Sequence, residues 1–163
     1  MIPKRVLAAI AVAGLMSTTA IAAPGHKPGE GHNHADETEY GKPGDPKKPA
    51  RIVQVVMRES DGKMMFLPDL VKVRKGDQIR FQLRNNGEID HEFVIGTVDE
   101  NQKHMKAMEK NPDMEHDDPN SKRLKPKTKG EIVWQFTEAG TFEFACLIPG
   151  HYQSGMVGVI VVE

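Results

Sequence analysis

Gln78-Ile79-Arg80-Phe81-Gln82-Leu83-Arg84 alternates polar and apolar side chains with period two. That is the mark of a strand with one face in a core and the other in water. Similar β-rich segments lie at residues 52–57, 63–68 and 70–73 before it, and at 91–96, 131–136, 141–146 and 156–162 after it. Turn residues punctuate them: Lys75-Gly76-Asp77, Asn85-Asn86-Gly87 and Glu138-Ala139-Gly140. Seven or eight short strands in about 113 residues predict an all-β domain over 51–163, an antiparallel sandwich or barrel.

Residues 97–128 interrupt the pattern as an insert. Asp99 is placed to cap a short helix, with Gln102 at the capping-box position. Helix-favouring residues run from Asn101 to Lys110, and Pro112 ends the run. The insert carries His104, Met105, Met108, Met114 and His116, and the four-residue spacing puts His104 and Met108 on one helix face. Packing is the plain use of such methionines; metal binding is the other.

The amino-terminal segment reads as an address. Lys4 and Arg5 precede an apolar run over 6–16, too short to span a bilayer, and Ala20-Ile21-Ala22 suits signal peptidase. Cleavage after Ala22 is favoured over Ala23, which would leave Pro24 directly after the cut. Residues 1–22 are therefore expected to be a signal peptide, and the mature chain an exported, periplasmic protein with no membrane attachment. Residues 23–50 contain five Gly and five Pro and lack Val, Ile, Leu, Met, Phe and Trp. Such a segment is expected to be a disordered tail. It carries His26, His32 and His34, candidate ligands for Cu(II) or Zn(II).

The formal net charge of -1 excludes a strongly basic nucleic-acid binder. The single cysteine, Cys146, excludes an intramolecular disulfide and any zinc site built from several thiolates. An unpaired thiol in an exported protein is exposed to oxidation unless it is buried or held by a metal. Its neighbours favour the metal. Residues 146–156 form a C-x4-H-x4-M array of Cys146, His151 and Met156. Thiolate, imidazole and thioether together suit a soft ion of the copper type. A His2Cys set with a weak axial Met lacks one imidazole, and His91 opens a strand that sandwich topology can bring to the same pole.

At these residues the chain resembles the cupredoxins, the type 1 copper proteins that include plastocyanin, azurin and rusticyanin. The resemblance spans 51–163 and is strongest at 91–96 and 144–162; the C-x4-H-x4-M spacing looks most like rusticyanin and auracyanin. It implies a Greek-key β-sandwich with copper held by His91, Cys146 and His151, and Met156 as axial ligand. It also implies Cys146 as the main electronic path. Backbone amides near Asn86 or in the 146–151 loop are expected to hydrogen-bond the sulfur. Ile148, Pro149 and Val157 are expected to form an apolar rim for brief docking of a redox protein partner. The signal peptide, His-bearing tail and Met-bearing insert together are similar to periplasmic copper-tolerance cupredoxins of the CopI type.

The expected function is electron transfer by a monomeric periplasmic copper protein in copper tolerance, with oxidation of Cu(I) as the one enzyme-like option. A second copper site would draw on His26, His32, His34, His104, Met105, Met108, Met114 and His116, since thioethers select Cu(I) and imidazoles accept Cu(II). The alternatives are a plain electron carrier of a respiratory chain and a copper storage or delivery protein without redox role.

Overall fold

The computed structural model describes residues 37–111 and 118–163. Its strands in chain order are β1 (Lys42–Pro43), β2 (Arg51–Ser60), β3 (Lys63–Leu67), β4 (Leu70–Val73), β5 (Gln78–Asn85) and β6 (His91–Gly96), then helix α1 (Val98–Lys110), then β7 (Ser121–Leu124), β8 (Lys129–Gln135), β9 (Gly140–Ala145) and β10 (Val157–Val162). Among the described residues they form two five-stranded sheets, ordered β1-β8-β5-β2-β3 and β4-β10-β9-β6-β7.

The alternation in β5 does what period two requires. Ile79, Phe81 and Leu83 are buried, while Gln82 and Arg84 are exposed. Residues of both sheets meet in one core. Phe66 of β3 and Phe81 of β5 lie against Phe93 of β6, with ring centroids 5.7 and 5.2 Å apart, and Phe66 also meets Phe144 of β9 edge-on at 5.1 Å. Such offset and edge-to-face contacts add to the area the rings bury. β6 is buried along its whole length, since the core covers one face and α1 and its neighbours cover the other.

Four features depart from the sequence-based expectation. First, two pairings are parallel, β2 with β5 and β4 with β10, so the sheets are mixed rather than purely antiparallel. Second, β7 lies within the insert; Ser121-Lys122-Arg123-Leu124 has too few apolar residues to announce a strand, and it edges its sheet through backbone pairing with β6. Third, α1 is capped by Thr97, not Asp99. Thr97 Oγ1 accepts the Glu100 N–H at 3.2 Å, and Glu100 Oε2 accepts the Thr97 N–H at 3.0 Å, a closed capping box.

Fourth, residues 37–50 are ordered, although they were expected to belong to the disordered tail. Tyr40 is buried, stacked on Trp134 at 5.5 Å, and its hydroxyl accepts from Asn120 Nδ2 at 3.1 Å. β1 then pairs with β8 through Lys42↔Gln135 and Pro43↔Trp134. One aromatic anchor and a two-residue ladder outweigh a composition otherwise poor in apolar residues. The remainder of the expected tail and the expected signal peptide lie outside the described residues. Among the described residues, no helix is long and apolar enough to cross a membrane.

Candidate metal centre

The antiparallel pairing of β6 with β9, register Val94↔Ala145, sets the start of one strand beside the end of the other. His91 is the first residue of β6, and Cys146 follows β9 directly. The chain then turns back on itself. The Cys146 N–H donates to the Met156 carbonyl and the Met156 N–H to the His151 carbonyl, both at 3.1 Å. Gly155, at φ +94°, supplies a left-handed residue that a side chain would strain. A closed loop therefore presents His151 back toward the strand end it came from.

The ligand atoms of His91, Cys146 and His151 all lie within 4.8 Å of one another, and all three residues are buried. His91 Nδ1 and His151 Nδ1 are 3.3 Å apart, and Cys146 Sγ is 3.3 Å from His151 Nδ1. Three donors that converge at this spacing repel unless a proton or cation lies among them. Nitrogen and sulfur bonds of about 2.0–2.3 Å to a soft or borderline ion give a trigonal plane with sides of about 3.5–4 Å, close to the triangle present. The set of one thiol and two imidazoles therefore fits a metal.

Burial pushes the Cys146 thiol up to about 12, although amide hydrogen bonds from Glu92 and Ile148 oppose the rise. The sulfur is thus protonated at neutral pH, and a metal must displace that proton. The amides facing the sulfur are those of Glu92, whose N lies 3.3 Å from Sγ, and of Ile148 in the 146–151 loop as expected, and not one near Asn86. The neighbouring Asn85 instead ties the loop before β6. Its Nδ2 donates to the Ile89 and Leu124 carbonyls at 2.8 and 3.0 Å, and its Oδ1 accepts the Gly87 N–H at 2.8 Å.

Burial also lowers both imidazoles below their ordinary range; proximity to His91 lowers His151 further, while Glu59 partly offsets the effect at His91. The sign for stability follows. As pH falls below about 6.5, the unfolded chain takes up protons that the folded apo-protein refuses until lower pH. Stability from the two neutral imidazoles is complete above that value and is lost on acidification through the folded-state values. Urea midpoints of the apo-protein are expected to be flat from about pH 8 to 7 and to fall toward about pH 5, with a shallower fall in His91→Gln.

Met156 is fully buried in the main core at the close of the loop. Ile148 and Val157 are half-buried and pack on the two apolar clusters, while Pro149 is exposed. The other sequence candidates separate. Met108 is buried on α1, and Met105 packs half-buried on Val94, Ala145 and Leu147, with its sulfur 3.4 Å from Gln153 Nε2. His104 is half-buried on the same helix. His26, His32, His34, Met114 and His116 lie outside the described residues. Among the described residues, no second group of three His, Cys, Asp or Glu side chains brings its ligand atoms together.

Sequence reasoning missed Glu59. This carboxylate at the end of β2 places Oε1 2.9 Å from His91 Nε2, although the approach is too far off the N–H direction for a well-formed hydrogen bond. Burial pushes its carboxyl up, but hydrogen bonds from its own backbone and the Glu88 and Ile89 amides, with His91, outweigh that and hold it below the usual value. In sequence it is one charge in Arg58-Glu59-Ser60-Asp61-Gly62, indistinguishable from an ordinary hairpin end.

A model of copper binding proteins of the plastocyanin/azurin family matches residues 53–163. The copper-resistant cuproprotein CopI of Rubrivivax gelatinosus is 48% identical over 160 residues, 96% of this chain and 95% of the relative. The chain is a cupredoxin of the CopI type. A second relative, the copper-resistant cuproprotein CopI of Pseudomonas aeruginosa PAO1, is 34% identical over 194 aligned positions, 100% of this chain and 99% of the relative. Among solved structures, auracyanin B superposes with a TM-score of 0.62 at 22% identity, covering 77% of this chain and 99% of the other; at that identity the likeness speaks for the fold. Copper is the cofactor of this cupredoxin, in keeping with its buried His-Cys-His group.

Proposed function

We propose that this cupredoxin is an exported, periplasmic electron-transfer protein of copper tolerance. His91, Cys146 and His151 would hold the copper, with Met156, buried at the close of the same loop, as a fourth and weaker ligand. The observation that carries the reading is the convergence of one thiol and two imidazole nitrogens at a buried point. The names of the two CopI relatives support the link to tolerance. Bound copper supplies a one-electron couple. The chain's own part is to hold the donors in one geometry, which limits rearrangement between oxidation states. Glu92 N–H steadies the sulfur, and the buried core keeps water from it. His151 is 8% exposed while His91, Cys146 and Met156 are fully buried, so a donor or acceptor would come nearest at His151.

In the tolerance reading the donor is external Cu(I). It would be oxidised to Cu(II), with its single electron passing through the copper these residues would hold to a redox protein partner. Mixing Cu(II)-loaded protein with Cu(I) under anaerobic conditions is expected to bleach the visible band and produce one Cu(II) per electron taken up, a response absent in Cys146→Ala. A coloured protein that does not bleach with Cu(I) would leave a respiratory electron carrier. A colourless one that still takes up copper would leave storage or delivery.

A further inference from the structure

Glu59 is the penultimate residue of β2 and faces the loop that leads into β6. Its Oε2 accepts the Glu88 N–H at 3.1 Å and its Oε1 the Ile89 N–H at 3.3 Å. The same Oε1 lies 2.9 Å from Nε2 of the fully buried His91. That nitrogen has no other partner at hydrogen-bonding distance among the described residues. A methyl added at Gly87 would overlap both carboxylate oxygens, so the loop is wrapped closely around this one group.

The geometry points to Glu59 as a positioning residue for the metal centre, one that takes the Nε2–H of His91 and leaves its Nδ1 bare toward His151 and Cys146. The inference rests on the reading of His91 as a ligand. A neutral imidazole carries one proton, and a carboxylate only accepts. A carboxylate against Nε2 therefore selects the tautomer in which Nδ1 is the free donor. The contact is 2.9 Å long but lacks hydrogen-bond alignment, so the tautomer is the property to measure. A carboxylate behind an imidazole ligand also raises its basicity, which favours the more highly charged metal ion. Glu59 thus stabilises Cu(II) over Cu(I) and lowers the reduction potential relative to a centre without it. The amides of Glu88 and Ile89 fix the carboxylate, so its position is set by backbone and not by a free rotamer.

Two measurements on Glu59→Gln test this, with folding checked by circular dichroism. In the metal-free protein, nitrogen chemical shifts of His91 are expected to show the Nε2–H tautomer in the wild type and a substantial Nδ1–H population in the variant. In the copper-loaded protein, the visible band is retained, Cu(II) affinity falls about 10–100-fold and the potential rises. Each tenfold loss of Cu(II) relative to Cu(I) binding corresponds to about 59 mV for one electron. A folded variant with unchanged tautomer and unchanged potential would reduce Glu59 to a loop brace and overturn the inference. Should Glu59→Gln fail to fold, Glu59→Asp, which keeps the charge but withdraws it from Nε2, is expected to move both readouts in the same directions. A wild-type protein without a thiolate–copper band would instead defeat the functional reading, and the metal-free tautomer would still report on Glu59 by itself.

Discussion

Cys146→Ser is expected to abolish the intense visible absorption of the copper-loaded protein while leaving the fold intact. The thiol is fully buried, so the substitution exchanges one small group for another of similar shape. The Glu92 N–H keeps an acceptor in the hydroxyl, so no buried donor is stranded. What disappears is the one soft, anionic donor. A hydroxyl does not ionise in the accessible range, and two imidazoles with a thioether bind Cu(II) without the strong thiolate bond. Loss of a partner behind a ligand typically costs about 10–100-fold in metal affinity, and loss of the thiolate itself is expected to cost at least about 100-fold. Titration with Cu(II), followed by absorbance and by competition with a chelator, checks both. An unchanged band in Cys146→Ser would remove Cys146 from the centre.

Phe144→Ala carries the largest expected cost in stability. The ring is fully buried, stacked on Phe93 at 5.0 Å and edge-on to Phe66 at 5.1 Å. Its cross-strand partner is Gly158, where a Cβ would collide with the ring, so β10 has given up a side chain to admit it. Neighbours shaped around the ring cannot collapse into the space it leaves. The loss is expected to be about 3–5 kcal/mol, a large part of a typical total of about 5–15 kcal/mol. Urea unfolding of the apo-protein should show a lower midpoint with an unchanged slope. Because Cys146 lies two residues further along in the same buried cluster, the void also opens near the sulfur of the candidate site. A change below about 1 kcal/mol would mean that the core repacks freely around the site.

The legible parts of this molecule were those written in side-chain pattern. Alternation located β5, and the Cys146–Met156 spacing pointed to a single loop around one point. The strand opening at His91 was visible too, and β6–β9 pairing brings it to that loop. What stayed hidden depends on backbone or on distant neighbours. β7 is edged onto β6 by hydrogen bonds that a polar tetrapeptide does not advertise. The parallel β2–β5 and β4–β10 ladders arise from topology, since period two reads alike in either direction. Thr97 and Asp99 are both good caps, and only Thr97 closes a reciprocal box with Glu100. Tyr40 is a lone aromatic among glycines and prolines, and Trp134, its partner, lies 94 residues away. Glu59 gains its meaning only when the 85–91 loop folds over it.

The β6–β9 register has a consequence in time. Cys146, His151 and Met156 belong to one short loop, but His91 joins them only after Val94 has found Ala145 across half a domain of intervening chain. Closing such distant pairs is the slow part of assembling a β-sandwich, on a scale of about milliseconds to seconds. On the proposed ligand set, a chain that meets copper while still unpaired would offer only the loop's donors, without the second imidazole and without the Glu92 amide on the sulfur. If these residues hold the copper as proposed, a thiolate–copper band would therefore appear only once the second sheet has closed.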